Sequence, residues 1–299
     1  MIFAAVDIGT NSCRLKIAKI EEGKLIVLGQ ELETTRLGKG FYENRKLQAD
    51  ALERTINCLS RYKQIMYRYE VGVYRIVATS AVREAENGIA FIELLAEKLN
   101  LKADLINGYE EADLSYLGVK KGLNLSDGII VVDLGGGSTE FIWLGEQGGI
   151  CIHSLPLGVI RVYELGTSRA EIVETLEPLK PFATELMKNP WVFVGGTATT
   201  LAAMSQQLTI YNLAAVHGFS LDVQEVERLW VMLNGLTVDE RKTLPGLQSE
   251  RADIIPAGAG IIHVLMKYFN KEKIIISESD IMDGIIWKLA QTGAGNKLI

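Results

Sequence analysis

Two copies of one short motif combine an aspartate, glycines and hydroxyl side chains in an order typical of phosphate-binding turns. DIGTNSCRLKI begins at Asp7 and DLGGGSTEFIW begins at Asp133. Glycines in such a turn let backbone N–H groups approach an anion, and hydroxyl and amide side chains add further donors. These donors are Gly9, Thr10, Asn11 and Ser12 in the first copy and Gly135, Gly136, Gly137, Ser138 and Thr139 in the second. The repeat therefore predicts two phosphate-binding turns in two related halves of the chain.

The charged residues of the two copies indicate what accompanies the phosphate. Carboxylates alone are poor phosphate ligands because like charges repel, but magnesium or another divalent cation can bridge them to phosphate oxygens. Asp7 and Asp133 are therefore expected near a metal. Arg14 of the first copy corresponds to Glu140 of the second. Arginine can bind a phosphate with two parallel hydrogen bonds, and glutamate suits a metal or water. A salt bridge or a solvated surface charge is the alternative for either residue.

A third glycine-containing turn joins a predicted strand to a predicted helix in the second half. Gly195, Gly196 and Thr197 form a helix N-terminus, which is a favourable place for an anion. The two glycines could instead serve tight packing of the helix against the strand. Beside two phosphate-type turns, anion binding is the favoured interpretation.

The elements that must position these residues alternate between strands and helices in both halves, which predicts the α/β class. Strands are predicted at 2–8, 12–20, 24–31, 73–79, 103–106, 128–137, 138–145, 149–158, 191–196 and 273–277, and helices at 48–69, 89–100, 109–121, 170–188, 197–207, 222–235, 250–269 and 281–291. We place the domains at residues 1–124 and 125–284, with a C-terminal helix at about 285–299 that packs back onto the first domain.

Composition limits the class of protein further. The net charge of −6 argues against a broadly basic nucleic-acid surface. No apolar run reaches the roughly 18 residues that a membrane span needs, and the apolar start before Asp7 is too short for a signal peptide. Three scattered cysteines, without close metal-ligand spacing, fit a reduced cytoplasmic compartment.

Longer motifs give the sequence a family resemblance. ATSAVREAENG, GYEEADLSYLGV and ERADIIPAGAGII, taken in order with the two turns, resemble the exopolyphosphatase and guanosine pentaphosphate phosphohydrolase family of the actin-like phosphotransferase superfamily. The resemblance runs from residue 4 to about residue 262. It implies two actin-like (ribonuclease H-like) domains facing each other across an interdomain cleft. It also implies metal-dependent release of terminal phosphate from inorganic polyphosphate or guanosine pentaphosphate.

The resemblance also assigns roles to charged residues, both outside the turns and within them. Glu111 matches the acid that activates the attacking water, and Glu110 takes that role if the register slips by one residue. Arg83 matches a phosphate-binding arginine, and Asp133 and Glu140 match acids near the metal or water. Without the resemblance, both glutamates would be ordinary first-turn residues favoured by the helix dipole, and Arg83 a surface ion-pair partner.

Departures from the family pattern leave alternatives open. Residues 277–287 lack the arginine that members often carry there, and longer members add C-terminal helical domains that extend the polymer channel, so processive degradation of long polyphosphate is not implied. A superfamily kinase would share both turns, and a non-hydrolytic alarmone- or nucleotide-binding regulator could keep the fold. The full set of acids argues against the regulator. A homodimer is common among such proteins.

Overall fold

Two compact α/β units make up the computed structural model, which describes residues 1–10, 12–39, 45–145 and 147–298. The first unit comprises Met1–Gly118 with Ile281–Ile299, and the second comprises Val119–Asp280. These bounds differ by a few residues from the domain boundaries placed on the sequence. Within the described residues, no helix has both the length and the hydrophobicity that crossing a membrane requires.

Eleven strands and thirteen helices are found in the described part of the chain. The strands are β1 Ile2–Ile8, β2 Cys13–Glu21, β3 Lys24–Glu33, β4 Val73–Ala78, β5 Ala103–Leu105, β6 Ile130–Leu134, β7 Thr139–Leu144, β8 Ile150–Leu155, β9 Trp191–Val194, β10 Ser220–Asp222 and β11 Lys273–Ile276. The helices are α1 Ala49–Arg68, α2 Ser80–Glu84, α3 Gly88–Leu99, α4 Gly108–Gly122, α5 Val159–Leu165, α6 Arg169–Glu174, α7 Ala183–Lys188, α8 Gly196–Ser205, α9 Leu213–Val216, α10 Val223–Gly235, α11 Val238–Arg241, α12 Ile255–Tyr268 and α13 Ile281–Thr292.

Each unit is built on a mixed sheet, and the two sheets share one strand order. The first sheet has the order β3-β2-β1-β4-β5, and five strands of the second follow the same order as β8-β7-β6-β9-β11, with β10 added at the edge. The first three strands of each series are antiparallel and the last three are parallel. In sheets of this kind, ligands bind at the carboxyl ends of the parallel strands, which is where the glycine turns lie.

The strand register confirms the repeat in the sequence. Asp7 lies opposite Arg14 in the β1–β2 hairpin, and Asp133 lies opposite Glu140 in the β6–β7 hairpin. Both turns close with the same backbone bond, from Gly9 N to Ser12 O and from Gly135 N to Ser138 O, each 3.0 Å long. The two hairpins are therefore equivalent in structure as well as in sequence.

The C-terminal helix α13 belongs to the first unit, where it packs against β1. A buried ion pair joins the Lys16 Nζ of β2 to the Asp283 Oδ2 of α13 at 2.7 Å. A Cβ on Gly284 would lie 1.8 Å from the Leu114 carbonyl oxygen, so the helix backbone approaches α4 closely. Asp283, in the segment that departs from the family pattern, thus attaches the helix to the sheet.

Some predicted elements are wrong. The single helix predicted at 170–188 is instead α6, a 3₁₀ turn at Glu177–Phe182, and α7. Pro178 and Pro181 lie in that turn, and neither has the N–H that a continuous helix requires. The helix predicted at 250–269 begins later, at Ile255, after a short 3₁₀ turn. Helix α5 was not predicted because its seven residues give too short a periodic pattern.

Candidate functional site

The turn after β6 presents backbone amides that are free to bind an anion. Among the described residues, the N–H groups of Gly136, Gly137 and Ser138 have no hydrogen-bond acceptor. The carbonyl oxygens of this turn are engaged by the first residues of α5: Val159 N donates to Gly135 O at 3.0 Å and Ile160 N to Gly136 O at 2.9 Å. Because the carbonyl oxygens already accept hydrogen bonds and these N–H groups do not donate any, the turn can donate several backbone hydrogen bonds to a phosphate.

Helix α5 holds this turn from behind. A Cβ on Gly158, the residue that precedes the helix, would lie 2.3 Å from Gly136 O and 2.4 Å from the Gly137 carbonyl carbon. The Arg161 Nε donates to Gly137 O at 3.0 Å. The sequence analysis missed this support. The signal that could have found it is Gly158, which the sequence analysis placed only at the end of the predicted strand 149–158.

The third glycine turn lies beside the second copy of the motif. Val194, the last residue of β9, is the parallel partner of Asp133. Gly195 has φ +95°, and a Cβ there would lie 3.0 Å from Leu134 O and 3.5 Å from the Asp133 Oδ1. Both the backbone angle and the close approach require glycine. The second unit therefore brings Asp133, the glycine turn after β6 and the N-terminus of α8 together.

Arg251 is a functional candidate that the sequence analysis did not single out. A Cβ on Gly196 would lie 1.9 Å from its Nη1 and 2.2 Å from its Nη2, so the guanidinium lies directly over the start of α8. Its Nε donates to the Gln248 Oε1 at 3.0 Å. Desolvation lowers the pKa of Arg251, yet arginine stays charged in proteins. A partly desolvated cation at a helix N-terminus makes a second donor group for phosphate.

Other predicted residues of the second unit have different surroundings. The Thr139 hydroxyl is completely buried and donates to the Leu157 carbonyl. This corrects the expectation that the Thr139 side chain binds phosphate, because its hydroxyl stabilises the hairpin instead. Thr197 is also buried, against Gly258, so its contribution at the start of α8 is restricted to its backbone N–H. The Glu140 carboxylate accepts a hydrogen bond from the Ser154 hydroxyl at 2.7 Å.

In the first unit, Asp7 and Arg14 form an ion pair. The Arg14 Nη2 and Nε lie 2.7 and 3.1 Å from the Asp7 Oδ2. The Asp7 Oδ1 is buried and has no hydrogen-bond partner among the described residues. The turn between them includes Thr10, whose hydroxyl lies 2.9 Å from the Ser80 hydroxyl. Asn11, predicted to bind phosphate, lies outside the described residues.

The two candidate glutamates on α4 point to different neighbours. The Glu111 Oε2 accepts a hydrogen bond from the Arg83 Nη1 at 3.0 Å, and the same nitrogen donates to Ile106 O. The Glu110 Oε1 instead accepts from Arg75, a residue within strand β4, at 2.6 Å. Because Arg83 lies on α2, which begins at the carboxyl end of β4, Glu111 lies on the side of the first glycine turn.

The acids fit a magnesium ion better than a metal held only by protein. Within the described ranges, no three His, Cys, Asp or Glu side chains come together as a metal-binding group. Magnesium commonly uses one or two carboxylates and completes its coordination with waters and substrate phosphates. The unpartnered, buried Asp7 Oδ1 is suited to this kind of coordination, and so is the opposed pair of Asp133 and Glu140.

Comparison with known proteins places the chain in a family. A profile of the Ppx/GppA phosphatase family matches residues 16–292. Exopolyphosphatase 2 of Mycobacterium tuberculosis is 33% identical over 314 residues, which cover 96% of this chain and 98% of that protein. A bifunctional 3-dehydroquinate synthase/phosphatase of Fusobacterium nucleatum is 31% identical over 95% of this chain and 46% of its own length.

A solved structure agrees with these relatives. The crystal structure of the Aquifex aeolicus member of the Ppx/GppA protein family superposes with a TM-score of 0.84 and 30% identity over 99% of both chains. The match confirms the predicted α/β class, and together with the family profile it confirms the resemblance that the motifs carry. The chain belongs to the Ppx/GppA phosphatase family.

Proposed function

We propose that this protein is a cytoplasmic, magnesium-dependent hydrolase that releases terminal phosphate from inorganic polyphosphate or guanosine pentaphosphate. The observation that carries the proposal is the turn after β6, whose amides at Gly136, Gly137 and Ser138 are unused among the described residues. Family membership and the relative named exopolyphosphatase 2 support the same reaction class.

Phosphate binding is assigned to backbone amides and cations. Phosphoryl transfer needs little covalent help from a protein and depends mainly on positioning and charge stabilisation. The amides of the glycine turns and of the start of α8 bind phosphoryl oxygens, and Arg251 adds a planar pair of donors. These groups are fixed before substrate arrives, because α5 holds the turn and Gly196 admits the guanidinium.

Glu111 is assigned as the base that orients and deprotonates the attacking water. A carboxylate in this role must be held in place and must lie near the phosphate. Arg83 fixes the Glu111 carboxylate at 3.0 Å, on the side of α4 that faces the carboxyl end of β4. Glu110 is bound to Arg75 in the middle of that strand, so it is the less suitable of the two.

Two sets of acids would each hold magnesium: Asp7 in the first unit, and Asp133 with Glu140 in the second. When bound, the ion would neutralise charge on the phosphoryl oxygens. In the chain itself, Arg14 limits Asp7 to one available oxygen, Oδ1. The Ser154 hydroxyl orients the Glu140 carboxylate.

The test measures phosphate release, with magnesium, from short polyphosphate, long polyphosphate and guanosine pentaphosphate in parallel. Glu111→Gln should lower kcat by about 100-fold or more, the usual contribution of a general base. Glu110→Gln is the matched control, with the same change in charge on the same helical turn, and should retain activity within about threefold. Turnover of none of the three substrates would refute the hydrolase. Full activity of Glu111→Gln would refute the assignment of the base.

A further inference from the structure

A pocket of about 410 Å³ on the first unit is lined by cations and hydrogen-bond donors and has no function assigned so far. Lys63, Lys102 and Lys297 face it together with Tyr74 and Asn100. No aspartate or glutamate is among its lining residues. In the described part of the chain, none of the three lysines forms an ion pair with a carboxylate. Three ammonium groups around one concavity repel one another unless an anion is bound between them.

Backbone contacts hold the walls of this pocket in place. The Lys63 Nζ donates to Leu99 O at 2.8 Å. The segment that carries Lys297 is attached to β4 by two backbone bonds of 2.9 Å, from Tyr74 N to Asn296 O and from Asn296 N to Tyr74 O. The lysine-bearing segments are therefore ordered by the fold and do not depend on a ligand for their position.

Tyr74 supplies a buried donor at the pocket. The residue is 3% exposed, and its hydroxyl oxygen accepts a hydrogen bond from Lys102 N at 3.4 Å. Within the described residues the hydroxyl proton has no acceptor. Burial raises the pKa of Tyr74, so the hydroxyl keeps its proton. A buried hydroxyl without an acceptor is costly unless a ligand or water accepts from it.

The pocket is distinct from the glycine turn of the same unit. Tyr74 lies near the amino end of β4, whereas Ala78 at its carboxyl end is paired with Ile8, just before that turn. A strand rises about 3.3 Å per residue, so roughly 13 Å of strand separates the pocket from the turn. An anion bound here would lie near the amino end of β4, at the opposite end of the strand from the glycine turn.

We propose that this pocket is a second anion site, which takes a short inorganic oligophosphate whose negative charge equals or slightly exceeds the positive charge of the three lysines. The three ammonium groups set the charge, and the Tyr74 hydroxyl gives one directed hydrogen bond. The buried Tyr74 ring offers no exposed face on which a nucleobase could stack, so the ligand is the phosphate chain and not a nucleoside. Binding at this site requires no hydrolysis and is independent of the function proposed above.

The test uses sodium tripolyphosphate as the probe, in EDTA so that no divalent cation supports turnover. Binding is followed on ¹⁵N-labelled protein through the backbone amide signals of Lys102 and Asn296, which report on this pocket alone. Lys102→Gln with Lys297→Gln is the test variant. Lys24→Gln with Lys273→Gln is the control, because it removes the same charge from exposed positions elsewhere. Tyr74→Phe removes only the hydroxyl.

The expected result is saturable movement of both signals in the wild type and in the control variant. The test variant should bind at least about tenfold more weakly at this site, since it loses two charge-assisted contacts. Tyr74→Phe should weaken binding by about threefold or more. Absence of saturable shifts in the wild type would overturn the proposal, and so would equal weakening by the control pair, because binding would then follow net charge alone. Signals from Gly136 report the phosphate turn separately, so failure there leaves this result interpretable.

Discussion

Gly158→Ala should inactivate the enzyme without touching a residue that binds substrate. The new Cβ would lie 2.3 Å from Gly136 O and 2.4 Å from the Gly136 and Gly137 carbonyl carbons. All three atoms are backbone, so no flexible side chain can yield. A carbon–oxygen contact needs about 3.3 Å, and the turn must therefore move by roughly 1 Å. The φ of Gly158 is −127°, which alanine adopts without strain, so the effect is steric alone.

The size of the loss follows from that displacement. A misplacement of about 1 Å in a positioning element can cost about 100-fold in rate, so kcat/KM for phosphate release should fall by about that factor. Overpacking of this kind costs about 1–3 kcal/mol of stability, which leaves the protein folded at 25 °C. The assay is magnesium-dependent phosphate release from short polyphosphate, with thermal unfolding measured on the same samples.

Gly235→Ala is the matched control, because a Cβ there has no atom within 4 Å. It should keep wild-type activity and stability. If Gly158→Ala is folded and its kcat/KM lies within about twofold of the wild type, far short of the expected 100-fold, the turn does not depend on α5 for its position. The assignment of the Gly136 and Gly137 amides to phosphate would then be wrong.

Three further predictions test other parts of the structure. Arg251→Lys should lower kcat/KM by about tenfold, since it loses a planar pair of charged hydrogen bonds. The control Arg228→Lys changes a residue of an exposed ion pair and should have no effect. If the two variants have equal kcat/KM values, Arg251 is not part of the site. Asp283→Ala should cost about 3–5 kcal/mol in urea unfolding because it removes one partner of a buried ion pair. The double variant Lys16→Met with Asp283→Leu should recover most of that loss, and additive losses would contradict the pairing. Burial lowers the pKa of His263 below its unfolded value of about 6.5, so its contribution to the free energy of unfolding should be complete above that pH and decrease as pH falls toward the folded pKa. His263→Phe should remove this pH dependence of the unfolding free energy. An unchanged pH profile in the variant would show that His263 titrates normally.

The repeated turn could be predicted because its chemistry is local. An apolar strand, a glycine turn and a second strand specify a hairpin within a dozen residues, and a hairpin with a fixed turn has a fixed register. The alignment of Asp7 with Asp133 was therefore sufficient to anticipate that Arg14 and Glu140 occupy equivalent positions. The structure bears this out in both sheets.

Residues brought to the turns by distant parts of the chain could not be found in the same way. Arg251 reaches Gly196 across more than fifty positions of sequence, and Gly158 meets Gly136 only because α5 folds back on the hairpin. No periodicity or spacing encodes such contacts. Thr139 is an example of a residue that the sequence wrongly assigns to the site. It belongs to the motif, but its hydroxyl is buried and donates its hydrogen bond to the Leu157 carbonyl.

Among the differences between the two copies, the exchange of Arg14 for Glu140 has the largest electrostatic consequence for the aspartate that lies opposite. In the first hairpin the carboxylate of Asp7 lies opposite a guanidinium, and the two form an ion pair. In the second hairpin, Asp133 lies opposite Glu140, and like charges directly opposite each other on one face of a sheet are destabilising. A divalent cation would relieve that repulsion, whereas at Asp7 Arg14 already neutralises the charge. Glu140→Gln removes a candidate magnesium ligand, whereas Arg14→Gln removes a cation that competes with magnesium for Asp7. We therefore expect magnesium to bind more weakly to the Glu140→Gln variant than to the Arg14→Gln variant.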